Sequence, residues 1–403
     1  MTTRLEPLPF PVAPRPAAPV SPLGHLRIAI VHYWFVSHRG GERVVEAIAE
    51  MFPQADLFSP VVNSELLPKT LRRRAITTSF LQSLPGSTHW HGKLLPLYPL
   101  ALEQFDLSGY DLVLSSESGP AKGVLTSAGT CHVCYCHSPM RYLWDFYHQY
   151  KNRSVAFWSR PVFTCVSHYM RLWDAASANR VDYFVANSRN IAARIRKHYR
   201  RDATVIYPPV NVGPGYLAKE IEDYYLVVGQ LVDYKRIDLA ITACNQLRCR
   251  LRIVGDGEQF TRLRKLAGPT IQFCGALSDD ALHEQYAHCR ALLFPGEEDF
   301  GIVPVEALSF GRPVIAYGRG GVTESVTSFS DESDLPPENC TGVFFAQQSW
   351  ESLAAAIQKF EAAEHRFCPT FIKQQADRFA PHYFRQNLGK YLSDKWEEFR
   401  SDF

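Results

Sequence analysis

The sequence predicts an α/β protein with two Rossmann-like domains, each built on a doubly wound parallel β-sheet. Short apolar segments alternate with helical segments along most of the chain, which is typical of such sheets. A segment rich in proline and glycine, residues 207–223, interrupts this alternation and is typical of a linker. The 403 residues also exceed what a single hydrophobic core usually supports. We therefore expect one domain over residues 24–208 and a second over residues 209–380.

The first half contains five segments that are predicted as short buried strands. The first, LRIAIVHYWF, is followed by a glycine turn and the helical segment ERVVEAIAEMF. The other four are DLVLSSE, HVCYCH, YFVANS and ATVIYPP, and the helical segment SRNIAARIRKHY separates the last two. Their largely apolar character indicates strands that are covered on both faces.

The second half repeats the pattern with six apolar segments, each ending at or near a turn residue. These segments are YYLVVG, RLRIVG, TIQFCG, RALLFP, RPVIAYG and GVFFA. Residues 381–403 are predicted to form a final amphipathic helix that packs on either domain, including back on the N-terminal one. Because open parallel sheets bind ligands at the carboxyl ends of their strands, two such domains facing each other predict a cleft for a ligand.

Composition and charge limit the possible partners. Lysine and arginine number 43 against 41 acidic residues, so the net charge of +2 gives no electrostatic case for binding nucleic acid. Residues 1–23 contain seven prolines and predict a disordered tail without the apolar segment of an export signal. The sequence has no apolar run long enough to span a bilayer. We expect a cytoplasmic protein with reduced cysteines.

The stretch CHVCYCHSPMRYLWD, residues 131–145, begins with three cysteines and two histidines. A metal site would need these side chains to converge, whereas side chains alternate between the two faces of a strand. Cys134 and Cys136 share one face, while Cys131 and His137 lie on the other. We therefore expect no metal here, cysteines that pack as small apolar side chains, and a histidine presented at the strand's end.

The most informative segment is LLFPGEEDFGIVPVEALSFGRPVIAYGRGGVTE, residues 292–324. A strand ends in an acidic loop, and a helix is predicted to begin at Gly301 with Pro304 in its first turn. The free amide groups at the start of this helix suit a phosphate. These amides belong to Gly301, Ile302 and Val303. Glu298 and Glu306, on either side of them, can accept hydrogen bonds from polyols. Alternatively, the acids only stabilise the helix N-terminus, and spacing alone does not decide.

Glu298 and Glu306 are separated by seven residues, and EEDFGIVPVEALSFGRPVIA resembles the Glu-x7-Glu signature of the retaining glycosyltransferases of family 4. The segments GQLVDYKRIDLAI, LRIVGDGE, IQFCGALSDDAL and GGVTE also occur in the order typical of that family. The resemblance covers about residues 25–400 and implies the GT-B fold, in which two Rossmann-like domains face a cleft. The YKRID form is similar to a branch of bacterial surface-polysaccharide mannosyltransferases.

The resemblance implies roles in donor binding and catalysis. Glu298 would contact hydroxyl groups of the donor sugar, and Glu306 would contact the ribose. Lys235 would neutralise the diphosphate as its negative charge grows in the transition state, together with the amides that follow Phe300. Without the surrounding motif, Lys235 would be read as a solvated lysine at the start of a helix.

The first half of the chain also matches the family, and the second half departs from the family pattern at one position. His137 matches the family histidine that reaches the donor sugar. Gly40 and Gly41 match a glycine pair that lets the first loop approach the donor phosphates and the acceptor. The family commonly has arginine where this chain has Gln230, so one cation of the diphosphate site is missing. Arg236 is a candidate to replace it.

The acceptor side is less specific. Arg141, Trp144 and Tyr147 offer guanidinium and aromatic faces that suit sugar rings or phosphate, although core packing is an equal alternative for Trp144. The basic residues 69–75 and the apolar residues 94–105 could together touch a membrane that carries a lipid-linked acceptor. The alternative is a solvated basic turn beside a buried helix.

The resemblance implies an enzyme that transfers a hexose with retention of configuration, first of all mannose from GDP-mannose. The acceptor would be a saccharide or lipid-linked saccharide in surface polysaccharide assembly. No Asp-x-Asp motif occurs, so we expect neither a metal nor another cofactor. The alternatives are a UDP-sugar-dependent transferase, a nucleotide-sugar hydrolase or epimerase, and a non-catalytic protein that binds a nucleotide sugar.

Overall fold

The chain contains two parallel β-sheets, one in each half, as the sequence predicts. In the computed structural model the described residues are 23–401 without 38–39, 154 and 331–334. The predicted disordered tail, residues 1–23, lies outside these residues except for Leu23. The α/β architecture with two Rossmann-like sheets is therefore confirmed.

Seven strands form the first sheet, and each neighbouring pair is parallel. The strands are β1 (Ile28–His32), β2 (Asp56–Phe58), β3 (Ile76–Thr77), β4 (Leu112–Glu117), β5 (Cys131–Cys136), β6 (Tyr183–Ala186) and β7 (Ala203–Val205). Their order in the sheet is β3-β2-β1-β4-β5-β6-β7. The α-helices between and beside them are α1 (Gly40–Met51), α2 (Lys69–Arg72), α3 (Ser87–Trp90), α4 (Tyr98–Glu103), α5 (Tyr147–Arg153), α6 (Arg160–Ser177) and α7 (Arg189–Tyr199).

Six parallel strands form the second sheet. The strands are β8 (Tyr225–Val228), β9 (Leu251–Val254), β10 (Ile271–Gly275), β11 (Leu292–Phe294), β12 (Val314–Tyr317) and β13 (Gly342–Phe345). Their order is β10-β9-β8-β11-β12-β13. The helices are α8 (Ile237–Leu247), α9 (Phe260–Leu266), α10 (Asp279–His288), α11 (Ile302–Ser309), α12 (Val322–Ser325), α13 (Trp350–Ala363), α14 (Pro369–Asp377) and α15 (Pro381–Ser401).

Strand β5 is covered on both faces, as its apolar composition requires. Cys131 and Tyr135 belong to one hydrophobic cluster, whereas Cys134 and Cys136 belong to another on the opposite face. The strand lies between β4 and β6, and all six of its residues are buried. The predicted division of the cysteines between two faces is therefore confirmed, and they pack as small apolar side chains.

The final helix, α15, packs on the first sheet although it follows the second in the chain. Phe384, Leu388 and Leu392 enter the hydrophobic cluster formed around α1 and β1. The ring of Phe384 lies 5.8 Å from that of Tyr135 on β5. Burial of this apolar stripe ties the C-terminal end of the chain to the N-terminal sheet.

Strands β2 and β3 are not predicted from the sequence, because they contain only three and two residues. Such segments are too short to show a period of two. They extend only because β1 pairs with β2, with Ala29 opposite Asp56, and β2 in turn pairs with β3. Pairing with neighbouring strands, rather than local sequence, therefore decides this edge of the sheet.

Candidate active site

A cleft of about 680 Å³ lies between the two sheets and is lined by residues from both halves of the chain. It is located where strands β4, β5, β8 and β11 end, which is where open parallel sheets bind ligands. Most of the residues predicted for the site line this cleft. They are Gly40, Gly41, His137, Arg141, Gln230, Lys235, Glu298, Phe300, Gly301, Ile302, Val303 and Glu306.

Helix α11 begins at the cleft, as predicted. Gly301 caps it with a φ of 85°, a backbone conformation that favours glycine. A Cβ atom at this position would lie 3.3 Å from the ring of Phe294. Pro304 occupies the first turn, where its missing N–H group costs no hydrogen bond. The first amide groups of the helix are therefore available for an anion in the cleft.

Lys235 and Glu298 form an ion pair at the centre of the cleft. The Lys235 Nζ atom donates a hydrogen bond of 2.6 Å to Oε1 of Glu298, and both side chains are largely buried. Burial alone would lower the pKa of Lys235, but the neighbouring Glu298 carboxylate outweighs it, so this pKa is raised. The ammonium is therefore charged at neutral pH.

Gly229, just after strand β8, makes room for this lysine. A Cβ atom on Gly229 would lie 2.9 Å from Nζ of Lys235, and the φ of 142° disfavours other residues. The sequence carries a signal for this residue, because GQLVDYK follows the apolar segment YYLVVG. Gly229 was not among the predicted site residues.

Glu306 is held by two side chains. Oε1 accepts a hydrogen bond of 3.0 Å from Arg43 on α1, and Oε2 accepts one of 2.8 Å from the Tyr286 hydroxyl. Arg43 also lines the cleft and joins the two halves of the chain. It was not predicted, although it follows the glycine pair closely, because its partner is 263 residues away.

Asp299 makes a second connection across the cleft. Its Oδ1 atom accepts hydrogen bonds of 3.0 Å from Nε of Arg141 and 2.8 Å from Nη1 of Arg194. The Arg141 guanidinium also lies 5.6 Å from the ring of Tyr234. Arg141 is therefore fixed between the two halves of the chain, at the edge of the cleft.

His137 is placed at the end of β5 and is almost fully buried, at 8% exposure. Its Nε2 atom is 2.9 Å from the Ser116 hydroxyl, and its carbonyl accepts a hydrogen bond of 3.0 Å from Asn187. Burial lowers the pKa of His137 to about 4, although the nearby Asp299 acts in the opposite direction. The ring is therefore neutral at neutral pH.

Two further histidines of the first sheet are buried. Burial lowers the pKa of His32 to about 3 and that of His132 to about 4. We refer to His32, His132 and His137 as the three buried histidines. The pKa of Glu117 shifts in the opposite direction, because burial raises it to about 7 although the nearby Lys122 acts to lower it. Below about pH 6.5 the three buried histidines reduce the stability of the native state, because only the unfolded chain can protonate them.

Gly40 and Gly41 face different parts of the cleft. A Cβ atom on Gly40 would lie 2.8 Å from Cδ1 of Ile302, at the start of α11. A Cβ atom on Gly41 would lie 3.7 Å from Nε2 of His137. The absence of these side chains lets the start of α1 approach both the start of α11 and the histidine.

Three predicted residues do not join the cleft. The Arg236 guanidinium bonds Asp238 at 3.1 Å and does not line the cleft. Besides Lys235, the cations that line the cleft include Arg43 and Arg141. Trp144 donates a hydrogen bond of 2.7 Å to the buried Asp174. Tyr147 stacks on Phe163 and bonds Thr164 on α6. Local side-chain partners therefore hold these residues away from the predicted ligand.

Among the described residues, no three or more histidine, cysteine, aspartate and glutamate side chains are grouped so that they could hold a metal ion. Nor, in the same part of the chain, is any helix both long and apolar enough to cross a membrane. All ten cysteines are free thiols.

Comparison with known protein families identifies the family to which this chain belongs. Residues 38–213 match the family model described as Glycosyltransferase Family 4, and residues 215–377 match the model described as Glycosyl transferases group 1. The chain belongs to the family 4 glycosyltransferases. The resemblance inferred from Glu298 and Glu306 is therefore confirmed, and the two matches meet close to the predicted linker.

This glycosyltransferase is related to mannosyltransferases. The α-1,3/1,6-mannosyltransferase ALG2 from Mus musculus is 26% identical over 303 residues, covering 62% of this chain and 70% of that protein. The O-antigen chain mannosyltransferase C from Escherichia coli is 27% identical over 212 residues, covering 46% of this chain and 56% of that protein. The match thus spans little more than half of the bacterial relative.

Solved structures show the fold. Anabaena HepE, solved in complex with UDP and glucose, superimposes with a TM-score of 0.65 at 18% sequence identity. The match covers 92% of this chain and 100% of HepE. The predicted GT-B arrangement is therefore confirmed at the level of the fold.

Proposed function

We propose that this glycosyltransferase moves a hexose from a nucleotide diphosphate sugar to a saccharide or lipid-linked saccharide, with retention of configuration. The observation that carries the proposal is the meeting of Lys235, Glu298 and the start of α11 in one cleft. This arrangement combines a cation and free amides for phosphate with a carboxylate for sugar hydroxyls.

Departure of the diphosphate is the step that the cleft supports best. Negative charge grows on the leaving group as the bond to the sugar breaks. The charged Lys235 and the amides at Gly301 and the following residues would stabilise that charge in a largely buried setting. Arg43, which also lines the cleft, supplies positive charge that the Gln230 position lacks.

Retention is proposed to follow from attack of the acceptor on the same face that the diphosphate leaves. The proposal assigns no covalent nucleophile, and each of the three carboxylates that line the cleft binds a cationic side chain. Glu298 bonds Lys235, Asp299 bonds two arginines, and Glu306 bonds Arg43 and Tyr286. His137 is neutral, so it would contact a sugar hydroxyl as a hydrogen-bonding group rather than as a cation.

We also propose that the reaction needs no divalent ion. In enzymes that use one, the ion neutralises the diphosphate. Here the same task falls to Lys235, Arg43 and the α11 amides, all of which line the cleft.

The donor is proposed to be GDP-mannose, since the relatives include mannosyltransferases. Surface polysaccharide assembly, with peripheral contact to a membrane, is the proposed setting for the acceptor. UDP-sugars are the alternative donors. A nucleotide-sugar hydrolase or epimerase is the alternative activity, and both would act without an acceptor.

A thermal-shift screen of nucleotide sugars tests the donor. A donor at about 100 times its Kd should stabilise the protein by about 2.7 kcal/mol, and GDP-mannose should give the largest rise in Tm. A larger rise with UDP-glucose or another UDP-sugar would reject the GDP-mannose assignment.

Product analysis then tests the reaction. We expect sugar transfer only when an acceptor is present, with the anomeric configuration of the donor retained in the product. Rapid release of free sugar from the donor alone, or an inverted product, would contradict the proposal. Glu298→Gln should bind the donor more weakly, and its Tm without ligand should fall while the protein stays folded, because the buried Lys235 loses its charged partner.

A further inference from the structure

Helix α6 and the turn before it expose a row of large apolar side chains. Phe157 is 82% exposed and Trp158 is 83% exposed, and both precede the helix. Val162, Tyr169 and Leu172 on the helix are 66%, 48% and 61% exposed. From Trp158 onwards these residues, with the exposed Cys165, are spaced by four, three, four and three positions. They therefore form one stripe along the helix. We call these residues the α6 surface.

Helix α6 exposes several large apolar side chains, although most of the residues that it buries fully are polar. The residues that it buries are Ser167, Met170, Asp174 and Ser177. Three of these four are polar, whereas Val162, Tyr169 and Leu172 point outward. Phe163, Val166 and Trp173 are half-buried. Leaving such a stripe in water is unfavourable, and contiguous apolar patches of this kind mark sites where a partner or membrane binds.

The charges around the stripe indicate what covers it. In residues 146–173 the cationic residues with described side chains are Lys151, Arg160 and Arg171, and the segment contains no acidic residue. The acid that follows, Asp174, is fully buried against Lys122 and cannot offset these charges at the surface. The Arg160 guanidinium lies 5.6 Å from the Phe157 ring, so an arginine stands beside the exposed aromatics. Every charged residue within this segment is therefore a cation, and exposed apolar side chains together with cations fit an anionic lipid surface.

We propose that the α6 surface docks this protein on an anionic lipid bilayer. Phe157 and Trp158 would insert at the level of the headgroups, where aromatic side chains are favoured. The nearby lysines and arginines would contact lipid phosphates. A second copy of the chain is the less favourable occupant, because two such faces would bring their cations together.

The position of this surface relative to the cleft agrees with a lipid-linked acceptor, and in that respect the inference rests on the proposed function. Helix α5 precedes α6, and its residue Tyr150 lines the cleft. Tyr147, also on α5, packs against Phe163 on α6 with 5.8 Å between the rings. A bilayer against the α6 surface would therefore lie beside the helix that contributes Tyr150 to the wall of the cleft.

The segments expected from the sequence to touch a membrane are less suited to it. Within residues 69–75, Arg72 bonds the carbonyls of Glu65 and Leu67, and Arg74 bonds that of Ala49. Within residues 94–105, Tyr98, Leu102 and Phe105 are buried in the core. Leu97 and Leu100 are exposed and could add to the contact.

Vesicle sedimentation with the full chain tests the proposal. The variant carries Phe157→Ser, Trp158→Ser and Leu172→Ser. Its matched control carries Leu66→Ser, Ile221→Ser and Leu266→Ser, three substitutions of apolar residues that are 47%, 42% and 44% exposed elsewhere. Vesicles of phosphatidylcholine with phosphatidylglycerol are compared with phosphatidylcholine alone, each at low and high salt.

We expect the wild type and the control to bind the anionic vesicles, and the α6 variant to bind them at least about tenfold more weakly. Binding should weaken at high salt and with phosphatidylcholine alone. Equal binding by the α6 variant, or no binding by the wild type, would overturn the proposal. A wild-type dimer in light scattering that the α6 variant dissociates would show instead that a second copy covers the stripe.

The Tm rise with nucleotide sugars is measured on the same variants. It should be unchanged in the α6 variant, because none of its three substitutions lines the cleft. If the wild type does not bind anionic vesicles but nucleotide sugars still raise its Tm, the docking surface alone is rejected, and not the proposed transferase activity.

Discussion

Lys235→Met removes one positive charge from the cleft and keeps nearly the same side-chain length. In the structure, Nζ of Lys235 lies 2.6 Å from Oε1 of Glu298, and the lysine side chain is 15% exposed. The ammonium is therefore both positioned and largely desolvated before the donor binds. If it stabilises the departing diphosphate, its loss should affect the transition state more than the bound donor.

The expected magnitude follows from comparable electrostatic contacts. Removing one positioned donor from a developing negative charge costs about 2.7–4 kcal/mol, so kcat should fall about 100- to 1000-fold. Glu298 loses its partner in the same variant, which should cost about 1–3 kcal/mol of unfolding free energy. A cost of this size lowers Tm but leaves the protein folded.

Steady-state release of nucleotide diphosphate measures kcat, and thermal unfolding measures the cost in stability. Lys390→Met is the matched control, because Lys390 lies on α15 and is 75% exposed. Lys235→Arg keeps the charge, but the close approach of Gly229 limits the space for a guanidinium. We expect it to recover only part of the activity. A Lys235→Met variant with kcat within about threefold of the wild type would refute the electrostatic role.

Three further predictions concern the cleft and stability. Gly40→Val should lower kcat/KM by about 10- to 100-fold, because its side chain would displace Ile302, whereas Gly92→Val, with open space around it, should not. Urea unfolding should show that the free energy of unfolding falls by roughly 3 kcal/mol from pH 6 to pH 5. In this range the unfolded chain binds protons at the three buried histidines, whereas the native chain binds one at Glu117. The native chain therefore binds about two protons fewer, at about 1.4 kcal/mol per proton and pH unit. A flat profile would contradict these pKa shifts. Turnover should persist in excess chelator, and its complete loss with recovery on adding Mg²⁺ or Mn²⁺ would contradict metal independence.

Much of the cleft is accessible from sequence because its parts follow directly from local patterns. The spacing of Glu298 and Glu306, and a helix that begins at Gly301, require only neighbouring residues. Lys235 is identified only through the resemblance to the family, from a motif that follows a strand. These residues lie in the segments that follow β8 and β11, and the two strands are neighbours in the sheet, so its topology brings the residues together.

Other features depend on partners that only the folded chain reveals. The guanidinium of Arg236 bonds Asp238 and does not line the cleft, whereas Arg43 does. For Trp144 the sequence left contact with the acceptor and core packing as equal alternatives, and the structure shows its indole bonded to Asp174, 30 residues later. The sequence shows that a residue is a cation or an aromatic ring, but not whether it faces a ligand or packs against another residue. Only the folded structure decides its partner.

The sequence by itself determined the two α/β halves, the linker between them, the faces of β5 and the positions of both glutamates. These features depend on hydrophobic periodicity and turn chemistry, which are local. The tertiary structure alone decided the ion pairs Arg43–Glu306 and Arg141–Asp299, which join residues 263 and 158 positions apart. It also decided the neutral state of His137 and the outward direction of the α6 stripe. Burial and charge pairing depend on what the fold brings near, so no local pattern could have shown them.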